Sequence, residues 1–226
     1  MNTESNRLSG RLIAIGDIHG YRAALETLLN EIQPDAEDIL VTLGDYVDRG
    51  PDSMGVIDLL IQWGRKTQLV ALIGNHEEMM LNVIEGEQSH HGWLRYGGVE
   101  TLESYGFDGN LDFLPPEHQE FFSSLGDFFV HDNYFFTHAA YDPRLEFDQQ
   151  PIELLRWHSL RAGIPDAHVS GKTAVVGHTA SDDGSILDVG HLICLDTNCY
   201  GGGVLTAMDF PSKQVWQAKP DGGLVS

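Results

Sequence analysis

Apolar residues gather along this chain in short runs of two kinds, and the order of those runs predicts a fold. Residues 11–17 (RLIAIGD), 38–45 (DILVTLGD) and 68–77 (QLVALIGNHE) carry near-continuous apolar stretches that read as strands covered on both faces. Between them, residues 21–32 and 53–64 repeat their apolar positions at helical spacing, and in the first Ala24, Leu25, Leu28, Leu29 and Ile32 share one face. A strand–helix–strand–helix–strand series predicts a largely parallel sheet under helices, with right-handed crossovers. The second half changes character. Residues 127–139 read as a hairpin turning at Asp132-Asn133, and 173–179, 185–189, 191–196, 204–210 and 214–218 are short strands in close succession, which suggests a second, mixed sheet. The expected fold class is α/β, with two mixed β-sheets packed face to face and flanked by helices.

Length and composition narrow the picture. At 226 residues and 42% hydrophobic, without an apolar run long enough to cross a bilayer, the chain reads as one soluble domain over 1–226 with a substantial core. Residues 1–10 read as a flexible polar N-terminus without the apolar centre of a signal peptide, so a cytoplasmic location is expected. Cys194 and Cys199 are too few for a disulfide framework or a structural zinc site and read as reduced thiols in or near the core. With 34 acidic against 13 basic residues the net charge is −21, which argues against nucleic-acid and membrane partners. A phosphate substrate would need local positive charge, which screening over roughly 8 Å at physiological salt permits. Nothing in the sequence fixes the oligomeric state, and a monomer fits.

The polar residues at the strand ends carry the chemistry. Asp17 and His19 follow the first strand, Asp45 and Asp48 the second, Asn75 and His76 the third, and His138 and His178 follow the segments YFFT and AVV. In a parallel sheet the loops beyond the carboxyl ends of the strands share one crevice, so these residues converge without being neighbours in sequence. Singly, GDIHG or GNHE also fits a turn whose polar residue caps the next helix. Three such motifs in order, each after an apolar strand, favour ligands. Asp17, His19, Asp45, Asn75, His138 and His178 form a nitrogen and oxygen donor set without thiolate, suited to Mn, Fe or Zn, and the neutral amide of Asn75 tilts the choice to Mn or Fe. Six donors are too many for one catalytic ion with open positions. They suit two ions about 3.5–4 Å apart that share a carboxylate, for which Asp45, in the middle motif, is the natural bridge.

Together, GDIHG, GDYVDRG, GNHEEM, THA and VGHT resemble the signature series of the phosphoprotein phosphatase family of metallophosphoesterases, which includes bacterial serine/threonine phosphatases and symmetrical dinucleoside tetraphosphatases. The series runs from Asp17 to His178, and the tail LICLDTNCYGGGVLTAMDF resembles the family's closing strands, so the likeness covers nearly the whole chain. The resemblance implies a calcineurin-like sandwich with a dinuclear site. It gives Asp17, His19 and Asp45 to one ion and Asp45, Asn75, His138 and His178 to the other. It also implies His76 as general acid oriented by Asp48, and Arg49 as the grip on phosphoryl oxygens. These roles agree with what phosphate-monoester hydrolysis requires: stabilised charge, hydroxide at neutral pH and a proton for the leaving alkoxide. Two departures stand out. Ala140 replaces the glycine usual two residues after the histidine, which bars a glycine-only backbone conformation there without strain. The second phosphate-gripping arginine could be Arg156 or Arg161, with Arg156 preferred.

Residues 86–116 are expected to form a rim over the active site, with Trp93, Arg95 and Tyr96 available for stacking or phosphate contact. The reading is a phosphomonoesterase, first a protein serine/threonine phosphatase, using two divalent transition-metal ions (Mn first, Fe or Zn next) and a phosphoprotein or small phosphoester substrate. One alternative is a symmetrical dinucleoside tetraphosphate hydrolase, whose four-phosphate chain should need more basic residues than these 13. A non-catalytic metal-binding interaction domain is the second, and His76, Asp48 and Arg49 argue against it.

Overall fold

Strands with apolar side chains on both faces need cover on both sides, and a computed structural model, which describes residues 10–210 and 212–225, shows where that cover comes from. The expected flexible N-terminus lies, through residue 9, outside the described residues. The first half folds as β1 (Leu12–Ile15), α1 (Arg22–Ile32), β2 (Ile39–Thr42), α2 (Ser53–Gly64), β3 (Gln68–Ala71) and α3 (Asn75–Ile84), with β1, β2 and β3 parallel in that order. Alternate residues of β1 divide the core. Ile13 and Ile15 pack toward α1 and α2, with Leu25, Leu28, Leu29, Val56 and Leu60, while Leu12 and Ala14 meet the other sheet. All five residues expected on the buried face of α1 are buried.

Three short segments follow: α4 (His90–Trp93), a π-turn over Leu94–Gly98 and α5 (Val99–Ser104); then comes α6 (Pro116–Ser123). The second half supplies β4 (Phe128–His131) and β5 (Tyr134–Thr137), the hairpin expected at Asp132-Asn133, then α7 (Ile152–Trp157), β6 (Thr173–Val176), β7 (Leu187–Asp188) and β8 (Leu192–Cys194). Their sheet runs β4-β5-β6-β8-β7, with β5, β6 and β8 parallel. Phe136, Val175 and Ile193 face the first sheet and fill the layer between the two. Phe135, Ala174, Val176 and Leu192 face outward under Tyr141 and Leu160.

The last two strands correct the sequence reading. β9 (Leu205–Phe210) and β10 (Val215–Ala218) do not extend the second sheet; β9 pairs antiparallel with β1 and carries β10 on its outer side. Met208 and Phe210 of β9 close the inter-sheet layer, so the chain crosses from one sheet to the other to cover the β1 edge. Cys194 and Cys199 are buried free thiols, with burial raising the pKa of both. Among the described residues no helix is long and apolar enough to cross a membrane.

Candidate active site

The six parallel strands, three in each sheet, point their carboxyl ends at one seam, and every candidate ligand leaves a strand there. Asp17 and His19 follow β1, and Asp45, Asp48 and Arg49 follow β2. Asn75 and His76 open α3 after β3, His138 directly follows β5, and His178 follows β6. The first two loops are knitted together by backbone bonds from Ile18 and His19 to the Asp45 carbonyl (3.0 and 2.8 Å) and from Gly20 to Tyr46 (2.8 Å). Glu77 organises the turn from within: Oε2 accepts from the amides of Asp45 and Gly74, both at 2.9 Å, and Oε1 from those of Tyr46 (2.8 Å) and Val47 (3.2 Å). His19, Asp45, Asp48, Arg49 and His178 all adopt positive φ, between 47° and 73°. Strain of this kind, of order 1–3 kcal/mol per residue, persists where the surroundings over-determine the backbone, and it concentrates at functional sites.

The helix-capping reading of the motifs does not hold. The α1 N-cap is Tyr21, without a side-chain bond, and Asp17 instead accepts the His178 amide at 3.1 and 2.9 Å. Gly177, just before, has no room for a side chain: a Cβ there would lie 2.0 Å from Asp17 Oδ1. Asn75 lies inside the first turn of α3, whose N-cap is Gly74.

Two clusters of donor atoms meet on Asp45. One joins His19, Asp45 and His76; the other joins Asp45, His138 and His178, each within 4.8 Å. In the second, His138 gives Nδ1–H to the Leu43 carbonyl (2.7 Å) and His178 gives Nε2–H to that of Trp157 (3.0 Å). The bare nitrogens His138 Nε2 and His178 Nδ1 then face Asn75 Oδ1 at 3.1 and 2.9 Å, and His138 Nε2 faces Asp45 Oδ1 at 3.4 Å. Four acceptors converge with no proton between them, an arrangement that a cation satisfies. Backbone carbonyls fixing the outer ring nitrogens are the usual support of ligand histidines. In the first cluster His19 gives Nδ1–H to the Val47 carbonyl (3.0 Å) and turns Nε2 toward Asp45 Oδ2 (3.5 Å).

The charges point the same way. Burial works against ionised Asp45, but His138, His76, His19 and His178 outweigh it and hold its pKa below the ordinary range. Burial lowers His19 well below its usual value, lowers His138, and brings His178 down to about 4. These shifts of Asp45, His19, His138 and His178 favour an ionised carboxylate and neutral imidazoles, the forms that bind a metal. Asp17 is pushed well up by burial, Asp196 and Asp45, and Asp196 up to about 6 by burial and Asp45. Three buried carboxylates repel one another here, and a bound cation removes that penalty. The sequence reading overlooked Asp196. It follows the parallel strand β8 in the segment LICLD, the same carboxylate-after-strand signal that singled out Asp17 and Asp45.

Within the first cluster, His76 donates Nδ1–H to Asp48 Oδ2 at 2.7 Å, and its Nε2 lies 3.9 Å from Asp45 Oδ2. Burial lowers the His76 pKa, but Asp45 and Asp48 together raise it above its ordinary value. The Arg49 guanidinium stacks 3.9 Å from the centre of the Tyr200 ring and donates to His19 Nε2 at 3.1 Å. Arg156 is engaged elsewhere, with Asp127 at 2.8 Å through Nε and Glu78 at 3.3 Å through Nη1. Arg161 bonds the Ala180 carbonyl and Asp182. Ala140 keeps negative φ and gives its amide to the Leu154 carbonyl, so the glycine-only conformation is not used. Of the rim residues, Arg95 and Tyr96 are exposed; Trp93, expected at the surface, is buried and turned inward to Asp48.

Known proteins match this arrangement. Over 85 residues the chain is 44% identical to serine/threonine-protein phosphatase 1 of Salmonella typhimurium, a match spanning 37% of each protein's length. Over 263 aligned residues and 90% of each length, it is 24% identical to the symmetrical bis(5'-nucleosyl)-tetraphosphatase of Baumannia cicadellinicola. A crystal structure provisionally described as a diadenosine tetraphosphatase superposes with a TM-score of 0.69 at 26% identity, covering 94% of both chains. The calcineurin-like phosphoesterase family profile matches residues 10–204, and with the two sheets and the seam of aspartates and histidines already described, the chain belongs to that family.

Proposed function

We propose that the chain is a metal-dependent phosphomonoesterase that acts on phosphoserine and phosphothreonine in proteins. The observation that carries the phosphoesterase part of this reading is the pair of donor-atom clusters meeting on Asp45, with Asp48 on the His76 ring and the Arg49 guanidinium against His19. Asp17, His19 and Asp45 would hold one ion, and Asp45, Asn75, His138 and His178 the other, with Mn first and Fe or Zn next from the donor chemistry. When bound, two such ions supply Lewis-acid charge at the phosphoryl group and lower the pKa of attacking water. The protein's own residues do the rest. Arg49 offers a planar fork to phosphoryl oxygens. His76 Nε2 gives its proton to the departing oxygen while Asp48 accepts the Nδ1–H and holds the ring's tautomer and charge. Arg156 reaches a phosphate only by releasing Asp127 or Glu78, so Arg49 is the principal grip. The reading carries a cytosolic setting, in keeping with two buried free thiols.

Symmetrical hydrolysis of a dinucleoside tetraphosphate is the second reading, supported by the near-full-length similarity to proteins bearing that name. Against it stands a net charge of −21, which repels a four-phosphate chain at long range. The deciding experiment measures kcat/KM for p-nitrophenyl phosphate, a phosphoserine peptide and diadenosine tetraphosphate with Mn, and again after chelation and metal add-back. Hydrolysis of the two monoesters above the tetraphosphate, lost with the metal and restored most by Mn, is expected. A tetraphosphate constant far above that of any phosphopeptide refutes the substrate ranking, and an inert protein that retains its ions supports a binding domain instead.

A further inference from the structure

The carboxylate of Asp48 is fully buried, and its hydrogen bonds come from the catalytic histidine and from the rim. Besides His76 Nδ1–H on Oδ2, Trp93 Nε1–H donates to both oxygens at 2.9 Å, and Thr101 Oγ1–H donates to Oδ1 at 2.7 Å. The Asp48 amide in turn donates to Thr101 Oγ1 (2.8 Å) and to Ser53 Oγ (3.2 Å). Both outer partners belong to the segment between α3 and α6, about 50 residues beyond Asp48 in the chain. That segment also grips the next residue. The Arg49 amide donates to the Gly97 carbonyl at 3.1 Å, and Gly97, at φ 109°, leaves no space for a side chain, since a Cβ would lie 2.4 Å from Arg49 N. A Cβ on Gly98 would strike the Trp93 indole at 2.5 Å, so the two glycines admit the rim and its tryptophan together.

We propose that Trp93 and Thr101 are positioning residues for the proton transfer to the leaving group. They hold the Asp48 carboxylate as an oriented anion, which fixes the His76 ring with Nε2 toward the departing oxygen. The inference rests on the general-acid role of His76. Three donors on one buried carboxylate satisfy its lone pairs and remove its freedom to rotate. Without the indole N–H, Asp48 keeps its charge at greater cost and can turn away from Nδ1, so the geometry of proton transfer degrades while the metal ligands stay in place.

The test uses Trp93→Phe, which keeps ring bulk, Thr101→Val, which keeps the shape, and Thr101→Ser as the rescue. Each is assayed on a phosphoserine peptide, whose alkoxide needs a proton, and on p-nitrophenyl phosphate, whose phenolate does not. Trp93→Phe and Thr101→Val are each expected to lose about tenfold in kcat on the peptide, part of the roughly 10²–10⁴-fold worth of general acid catalysis. Both should lose less than about twofold on p-nitrophenyl phosphate, with KM and metal content unchanged. Thr101→Ser should recover peptide activity, and neither loss should add to that of His76→Asn. Equal losses on the two substrates, or additivity with His76→Asn, would overturn the inference. A selective loss in His76→Asn with none in Trp93→Phe or Thr101→Val would overturn it while sparing the general-acid reading. If His76→Asn loses both substrates equally, the general-acid reading falls and this inference with it.

Discussion

Glu77 offers the sharpest test of how the metal loop is held. Its buried carboxylate accepts four backbone N–H groups, those of Asp45, Tyr46, Val47 and Gly74, at 2.8 to 3.2 Å. Glu77→Gln preserves the shape but replaces one oxygen by an NH₂ group, which faces two amides that it cannot accept. Two buried donors left unpaired cost about 1–3 kcal/mol each, or roughly 2–6 kcal/mol in all. Part of that is returned, because burial and the Asp45 charge push the Glu77 pKa up to about 7 and the variant no longer carries the charge. The net expectation is about 2–4 kcal/mol, a large share of a typical domain's 5–15 kcal/mol. Urea denaturation of metal-stripped protein at one pH measures it as a lower midpoint at unchanged slope. Elemental analysis should also show fewer ions retained, since the backbone that carries Asp45 has lost its anchor. A loss of stability below about 0.5 kcal/mol, the size of an ordinary surface substitution, with full metal content would refute the anchoring role.

The two aspartates of GDYVDRG should fail in different ways. Asp45→Asn is expected to lower metal occupancy and activity together, whereas Asp48→Asn should keep its ions and lose about 10²–10⁴-fold on substrates with poor leaving groups; metal loss in Asp48→Asn would contradict this division. Away from the site, buried Asp38 takes hydrogen bonds from the Arg11 amide (2.6 Å) and Nε (3.0 Å), and although burial raises its pKa, Arg11 and the Asp35 amide bring the net value below the ordinary one. A depressed carboxylate stabilises fully above its unfolded value of about 3.9 and loses that contribution as pH falls through the lower folded value. Asp38→Asn should therefore cost roughly 2–4 kcal/mol at pH 7 and progressively less under acid, and a pH-independent difference would rule out the ion pair as its source.

What the sequence determines by itself is local. Short runs apolar on both faces read as covered strands, helical spacing in 21–32 marks one face for burial, and a polar residue just past a covered strand emerges at its carboxyl end. Joined to the rule that parallel strands open one crevice at their carboxyl ends, these facts lead to the expectation that Asp17, His19, Asp45, Asn75 and His76 converge, with His138 and His178 added from the second half. The same facts stop short where the outcome depends on partners distant in the chain. Whether β9 joins one sheet or the other turns on which unpaired edge is nearer, and it pairs with β1, far back along the chain. Asp196 carries the strand-end signal, but it belongs to the seam only because β8 lies parallel to β6. Trp93 looks like a surface aromatic in its own segment; only tertiary packing turns its N–H toward the buried Asp48 carboxylate, beside the donors from His76 and Thr101. Arg156 looks free in sequence, and Asp127 and Glu78 engage it in the fold. Periodicity is written in neighbours and survives reading one stretch at a time. A hydrogen-bond partner is chosen by what else must be buried beside it, and the assembled tertiary structure decides that.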